Sequence, residues 1–285
     1  MNDTRKRRPT LQDIADLTGV TKMTVSRYLR DPSAVAEGTR ERIAAAVEEL
    51  GYIPNRAPDM LSNATSKAIG ILIPSLSNQV FSAVIHGIEA VTRPAGYQTL
   101  LAHYGYSPER EEEQIASLLS YNVDGLILSD TQHTERTRKM IATAGIPVVE
   151  TMDLPLSPID MVVGMDHRAA ARAMVTEMLR RGRRKVIYLG ARLDVRTQLR
   201  MEGYYQAMAD FGLTGQHLLT EQSSSFTLGG ELLAQAMARF PDLDGLFCTN
   251  DDLAVGPCCN ARPGGSRCPS RWPLPAATPS TSATP

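Results

Sequence analysis

An all-α helix-turn-helix head joined to a doubly wound α/β body is the fold class that the sequence predicts, and three observations carry it. In the first 50 residues, apolar positions recur at helical spacing around single glycines. From Ala68 onward, short, continuously apolar runs alternate with helical patterns, as in a parallel sheet covered on both faces. The charge is also uneven: residues 1–30 hold seven Lys/Arg against three Asp, a net of +4, whereas the whole 285-residue chain stands at −1.

Taken in order, residues 1–9 read as a basic arm, and Thr10 to Leu29 as two short helices. Leu11, Ile14, Ala15 and Leu17 fall on one face, Gly19 supplies the turn, and Val20, Val25 and Leu29 face back toward the first helix. The other side of the second helix carries Thr21, Lys22, Met23, Thr24, Ser26 and Arg27. Those are hydrogen-bonding groups and cations at the spacing of a helix lying in a DNA major groove. Helix pairs around a glycine are common in purely structural roles. The basic charge is what points this one toward phosphate. Asp31-Pro32-Ser33 breaks the chain, and Thr39 to Leu50 reads as a third helix, with Ile43, Val47 and Leu50 inward and Gly51 as its stop. Residues 1–50 are thus predicted as the head. Residues 51–67, rich in Pro, Asn and Ser, read as a linker or hinge.

The body, predicted over residues 68–256, has strand-like runs at 68–74, 97–102, 124–129, 146–150, 185–190 and 244–250. Helical patterns lie between them, at Ser82 to Arg93, Glu109 to Leu119, Thr137 to Ala144, Ala169 to Arg181, Gln198 to Phe211 and Leu228 to Phe240. Ligands of such sheets bind outside the carboxyl ends of the strands, so the loops after Ile73, Ala102, Leu128, Val149, Leu189 and Cys248 frame the expected site. The recurrence of Asp-Gly-Leu-Ile/Phe at 124–127 and 244–247 suggests two similar lobes around a cleft.

Catalysis finds no support. No GxSxG elbow, phosphate loop or HExxH is present, and His86, His103, His133, His167 and His217 lack partners at metal spacing, so neither metal nor cofactor is expected. Glu111-Glu112-Glu113 reads as a solvated helix face, and Asp251 and Asp252 point apart on any regular backbone. A polar cleft without a nucleophile reads as a sensor. No apolar run nears the roughly 18 residues of a membrane span, and no apolar stretch follows the N-terminal cations, so a cytoplasmic protein with no membrane partner is expected. Three of the four Cys lie in the last 30 residues, which implies no disulfide framework.

T-L-Q-D-I-A-x-x-x-G-V-T-x-x-T-V-S-R-Y-L, followed by V-A-E-G-T-R-E-R-I and L-G-Y-I-P-N, is similar to the DNA-binding head of the lactose/galactose-repressor family of bacterial transcription regulators. Asn55 to Ser66 (NRAPDMLSNATS) and Leu101 to Tyr106 (LAHYGY) resemble most the gluconate-operon repressors within it. The resemblance implies a homodimer on a palindromic double-stranded operator. Lys22, Met23 and Arg27 would read bases, and Thr10, Thr21, Thr24, Ser26 and Asn55 would hold phosphates. Leu61 would wedge into the minor groove from a hinge that becomes helical on DNA. Pro58 and Asp59 depart from the family's frequent Ala-Arg pair, although both suit a helix start near Ala57.

The body resembles the family's two-lobed sugar-sensing core, which is similar to periplasmic sugar-binding proteins. Carried over by position, the effector residues would be Arg200 in R-x-x-G, Asn250 in C-T-N-D-D-L-A-V-G, Asp153 (or Glu150 in its place) and Phe81. A guanidinium suits a gluconate-like sugar acid because it can fork a carboxylate. A surface ion pair is the plainer role for Arg200. A solute-binding protein without a transcriptional role is the alternative, but it would need an export signal and has no use for Thr10 to Leu29.

Residues 257–285 do not fit. They hold seven Pro, three of the four Cys, the only Trp and no acidic residue, and no helical or strand period. Read one base out of register, permitted codons for Pro257 to Ala276 yield A-L-L-Q-R-Q-T-x-G-L-K-V-P, which suits the family at this point. The expectation is therefore a shifted frame, an incomplete second lobe, apolar faces exposed around Leu246 and Val255, and a less stable, poorly inducible protein.

Overall fold

The computed structural model describes residues 7–55, 65–76, 78 and 80–259. The hinge helix expected near Ala57, its Pro58 and Asp59, and the wedge Leu61 lie outside the described residues, as do residues 260–285. The chain divides into two compact units, residues 1–68 with 122–124, and residues 69–121 with everything from Gly125 on.

The first unit holds α1 (Leu11–Thr18), α2 (Lys22–Arg30), a single 3-10 turn (Pro32–Ala34) and α3 (Glu37–Leu50). Thr10 opens α1: its backbone N–H and its hydroxyl donate to the Asp13 carboxylate at 2.6 and 2.7 Å. Those hydrogen bonds, those from the Thr10 side chain foremost, hold the Asp13 carboxyl below its ordinary range. Gly19, at φ 70°, ends the helix in the left-handed conformation that glycine adopts without a steric penalty. Thr21 then caps α2, its hydroxyl accepting the Thr24 N–H at 3.3 Å. Ile14, Ala15, Val25, Ile43 and Ala46 make the core. Leu17, expected on the inner face, is 50% exposed. At 100° per residue it lies well off the stripe of Leu11, Ile14 and Ala15, and Thr18 takes the buried place, its hydroxyl donating to the Ile14 carbonyl at 2.7 Å. Where the chain enters the body, the Asp124 carboxylate accepts Ser66 N–H (2.7 Å), the Ser66 hydroxyl (3.0 Å) and Lys67 N–H (3.0 Å), and also the Thr65 hydroxyl.

The second unit has two lobes. The first lobe's sheet runs β2-β1-β3-β4-β5, with β1 (Ala68–Ile73), β2 (Gln98–His103), β3 (Gly125–Leu128), β4 (Val148–Met152) and β5 (Met161–Gly164). β1, β3, β4 and β5 pair in parallel, and α4 (Val80–Thr92), α5 (Pro108–Ser120) and α6 (Glu135–Ala144) belong to this lobe. The described part of the second lobe has the parallel order β7-β6-β8, from β6 (Val186–Ala191), β7 (Gln216–Thr220) and β8 (Gly245–Cys248). Its helices are α7 (His167–Arg180), α8 (Val195–Asp210), α9 (Phe226–Arg239) and α10 (Asp251–Cys259).

The six predicted strands are all present, and five of them are largely buried, whereas β2 is a half-exposed edge strand. Tyr188 and Val186 of β6 pack with Val175, Leu179 and Tyr204, whereas Ile187 and Leu189 pack with Leu228, Leu232 and Leu253. The second lobe departs from expectation at two points. Leu246 is only 8% exposed, because it packs into the second of these clusters, whereas Val255 is 40% exposed as expected. α10 also runs three residues past 256. It packs tightly on α9 through Gly229 and Gly256, where a Cβ would overlap the facing backbone. Among the described residues no helix is long and apolar enough to cross a membrane.

Candidate nucleic-acid interface and effector cleft

The side of α2 expected to read bases is exposed. Lys22, Met23 and Arg27 are exposed while Val25, on the opposite side, is fully buried, and Met23 stands 74% exposed despite being apolar. Thr24 and Ser26 are half-buried on the flank, and Thr10, Thr21 and Asn55 are exposed. The hydroxyls of Thr10 and Thr21 already serve the helix starts, the latter lying 3.0 Å from that of Thr24. Any phosphate contact they make therefore comes at the amino end of a capped helix, where backbone N–H groups favour anions.

In the body, a cavity of about 320 Å³ is lined by Tyr104, Tyr106, Glu111, Asp130, Asp153, Leu193, Asp194 and Arg196 among others. These residues come largely from the loops after β2, β3, β4 and β6, four of the six carboxyl-end loops singled out from sequence. The centre of the arrangement is an ion pair between lobes. Arg196, in the first turn of α8, donates from Nε to both Asp153 oxygens (3.0 and 2.9 Å) and from Nη2 to Oδ2 (2.7 Å). Nη2 also donates to the Ser129 carbonyl. On its other side Asp153 meets His167 Nε2 at 2.8 Å, while His167 Nδ1 accepts from Arg200 at 3.3 and 3.2 Å. A guanidinium can only donate, so this geometry puts the imidazole proton on Nε2, which lies 3.1 Å from the Met152 carbonyl and 2.8 Å from Asp153. Burial pushes the Asp153 carboxyl up, but the hydrogen bonds from His167 and Arg196 outweigh it and hold it below its ordinary value.

Asp166 and Asp194 set these positions by capping, accepting the N–H of Ala169 and Thr197 at 2.9 and 2.8 Å. Gly164 of β5 lets the backbone of Asp153 come close, where any Cβ would collide with it. The rim is strained: Tyr106 (φ 62°), Met152 (81°), Arg192 (69°) and Leu193 (53°) all take the left-handed conformation without being glycine. The Arg192 guanidinium lies 3.9 Å over the Tyr106 ring, a second contact between lobes.

In the cavity wall, and running back from it, sits a buried group. Glu111 is 1% exposed, not part of a solvated face, and both its oxygens lie near His133 Nδ1 (3.1 and 3.0 Å). His133 Nε2 in turn lies 3.4 Å from Glu150 Oε1, and Glu150 Oε2 accepts the Ile159 N–H at 2.6 Å. Burial pushes the Glu111 carboxyl up. For His133, burial favours the neutral ring, but the hydrogen bond and charge of Glu111 raise its pKa above the usual value. Of the run, only Glu113 is exposed, since Glu112 binds Thr134 and Arg136 at 2.5 and 2.6 Å.

Of the effector residues named from sequence, Asp153 lines the cavity. Arg200 stands behind it, donating to His167 and to the Thr249 carbonyl, with no carboxylate partner among the described residues, so it is not a surface ion pair. Asn250 holds the start of α10, accepting the Leu253 N–H at 3.2 Å and donating to the Ser224 hydroxyl at 2.7 Å. Phe81 is buried with Ile71, Ile73 and Met152. Glu150 is buried beneath the wall. The residue that sequence reasoning missed is Arg196. Its signal was its place one helical turn before Arg200 behind the capping residue Asp194, which puts both guanidiniums on one face.

A helix-turn-helix with an exposed basic face, on one chain with a two-lobed parallel α/β body that carries a polar cleft at its strand ends, defines a DNA-binding transcription regulator. Residues 10–55 match the family described as "Bacterial regulatory proteins, lacI family", and residues 66–269 match "Periplasmic binding proteins and sugar binding domain of LacI family". The chain belongs to the lacI family. It is 60% identical over 252 residues to the HTH-type transcriptional regulator GntR of Escherichia coli K12, covering 88% of this chain and 76% of that protein. It is 53% identical to the regulator IdnR of the same organism, at the same coverage. Among solved structures, a LacI-family regulator from Silicibacter pomeroyi superposes with a TM-score of 0.80 at 37% identity, over 87% of this chain and 75% of that one. The lac repressor dimer bound to operator and the anti-inducer ONPF gives 0.74 at 25% identity, over 88% and 76%.

Proposed function

We propose that this chain is a cytoplasmic repressor of genes for sugar-acid catabolism, which grips a palindromic operator as a homodimer and is released when a gluconate-like acid occupies the cavity. The head (residues 1–50) reads bases with Lys22, Met23 and Arg27 and holds phosphates with Thr10, Thr21, Thr24, Ser26 and Asn55. The hinge (51–67) wedges Leu61 into the minor groove, and the body (68–256) carries the effector. Arg200 and Asn250 act on the effector from behind the wall, Asp153 at it, and Phe81 supports the Met152 turn. The protein works by binding alone, with no cofactor. The observation that carries this reading is the polar cavity of about 320 Å³ with a guanidinium–carboxylate pair in its wall, a size at the small end of ligand sites. Repression and release are two ends of one coupling free energy between effector and operator.

The test is fluorescence anisotropy on duplexes selected from a random pool by the whole chain, titrated with salt and then with gluconate. Palindrome-dependent binding that weakens steeply with salt and is released by gluconate is the expected result. Binding without sequence preference, or binding that gluconate leaves untouched, would overturn it.

A further inference from the structure

We infer that Arg196 is the residue that selects an acid over a neutral polyol, and that Asp153 is its built-in competitor. This rests on the reading of the cavity as a sugar-acid site. Gluconate and glucitol share a polyol chain and differ at one end, a carboxylate against a hydroxymethyl group, so a protein that tells them apart must present a cation to that end.

Two guanidiniums one helical turn apart could serve. Arg200 stands outside the cavity lining, and its donors go to two neutral acceptors, the Thr249 carbonyl and His167 Nδ1. Arg196 lines the cavity and already holds a carboxylate, that of Asp153, through three N···O contacts of 2.7 to 3.0 Å. Among the described residues its Nη1 makes no hydrogen bond, so the fork keeps donors for a second carboxylate. Asp153 can yield its place, because His167 Nε2 stays 2.8 Å away on its other side. An acid entering the cavity therefore trades one guanidinium–carboxylate pair for another, whereas a polyol must leave Arg196 to Asp153. The pair also joins the two lobes, so the exchange changes what holds the cleft together.

Isothermal titration calorimetry of the full chain with gluconate and with glucitol tests this, the readout being the ratio of their affinities. Wild type should prefer gluconate. Arg196→Gln should lose that preference by roughly 10- to 150-fold, the worth of a charge-assisted hydrogen bond, whatever it does to the two affinities together. Arg196→Lys, which keeps the charge but not the fork, should retain part of it, and it carries the test should the Gln variant not fold. Asp153→Asn should widen the preference. An undiminished preference in the Arg196 variants, or its loss in Arg200→Gln alone, overturns the assignment. Equal binding of acid and polyol by wild type overturns it as well. Binding of neither by wild type removes the sugar-acid reading of the cavity itself, and this inference with it.

Discussion

Ile43→Ala in the head should abolish operator binding and leave the body folded. Ile43 is fully buried in a core of five residues, Ile14, Ala15, Val25, Ile43 and Ala46. Removing its three outer carbons from a packed core costs about 2–5 kcal/mol, the lost transfer energy plus the cavity left behind. A unit of about 45 residues, at ~0.05–0.15 kcal/mol per residue, holds only roughly 2–7 kcal/mol in all. One substitution thus removes most of the head's stability. Ile71→Ala makes the same change at a fully buried position of β1. There it falls on a unit several times larger, whose melting point should drop only about 2–4 °C per kcal/mol. Calorimetry should resolve two transitions in the wild type. Ile43→Ala should lose the head transition and operator affinity at low DNA concentration while keeping the other, whereas Ile71→Ala should only lower the body transition, keeping the head transition and operator affinity. Ile43→Val, at about 0.5–1.5 kcal/mol, should keep binding. An Ile43→Ala chain with wild-type operator affinity and both transitions in place would refute the claim that this small core limits the head.

Four further outcomes are expected. Tyr188→Phe removes a buried hydroxyl that donates to the Thr197 carbonyl (2.8 Å) and meets the Thr249 hydroxyl (2.9 Å); it should cost about 1–3 kcal/mol, and an unchanged melting point would contradict this. Asp153 holds its carboxyl below the ordinary 3.8, so its contribution is complete above about pH 4 and is lost as pH falls through the folded-state value. Urea midpoints from pH 3 to 7 should accordingly fall less steeply at the acid end in Asp153→Asn. Arg27→Ala should relax base preference at one operator position by about 1–3 kcal/mol in competition binding, whereas Thr24→Ala should weaken all duplexes alike. Gly164→Ala should displace the Asp153 backbone and weaken gluconate binding more than it lowers the melting point, as calorimetry of both can show.

Most of the strands that were legible are those that a parallel sheet buries, as the run VIYLG in β6 shows, while the edge strand β2 was legible only through its apolar run Leu100-Leu101-Ala102. β5 and β7 were not legible for the converse reason. Each is an edge of its described sheet, and MVVG and QHLLT keep exposed positions at Met161, Val163, Gln216 and His217. The exposed side of α2 was legible because the helix is short and regular, so its register follows from the Thr21 cap. The cleft was only half legible. Position in the motif pointed to Arg200, but which of two guanidiniums reaches the cavity depends on the turn after β6, where Arg192 and Leu193 take a conformation that no sequence pattern announces. Glu111 hid inside a charged run for a related reason: its partner His133 lies on a loop 22 residues away.

The four left-handed, non-glycine residues at Tyr106, Met152, Arg192 and Leu193 have a consequence for anyone wishing to harden this protein. Glycine at Met152 would relax the backbone, and the chain would gain firmness at the turn that carries Asp153. The gain would come out of the sensor, because a turn at ease no longer needs its neighbours to hold it in one shape. Four of the six left-handed, non-glycine residues among the described ones thus stand at the rim of one cavity, and ease of the backbone and a sharply held cavity are set against each other there.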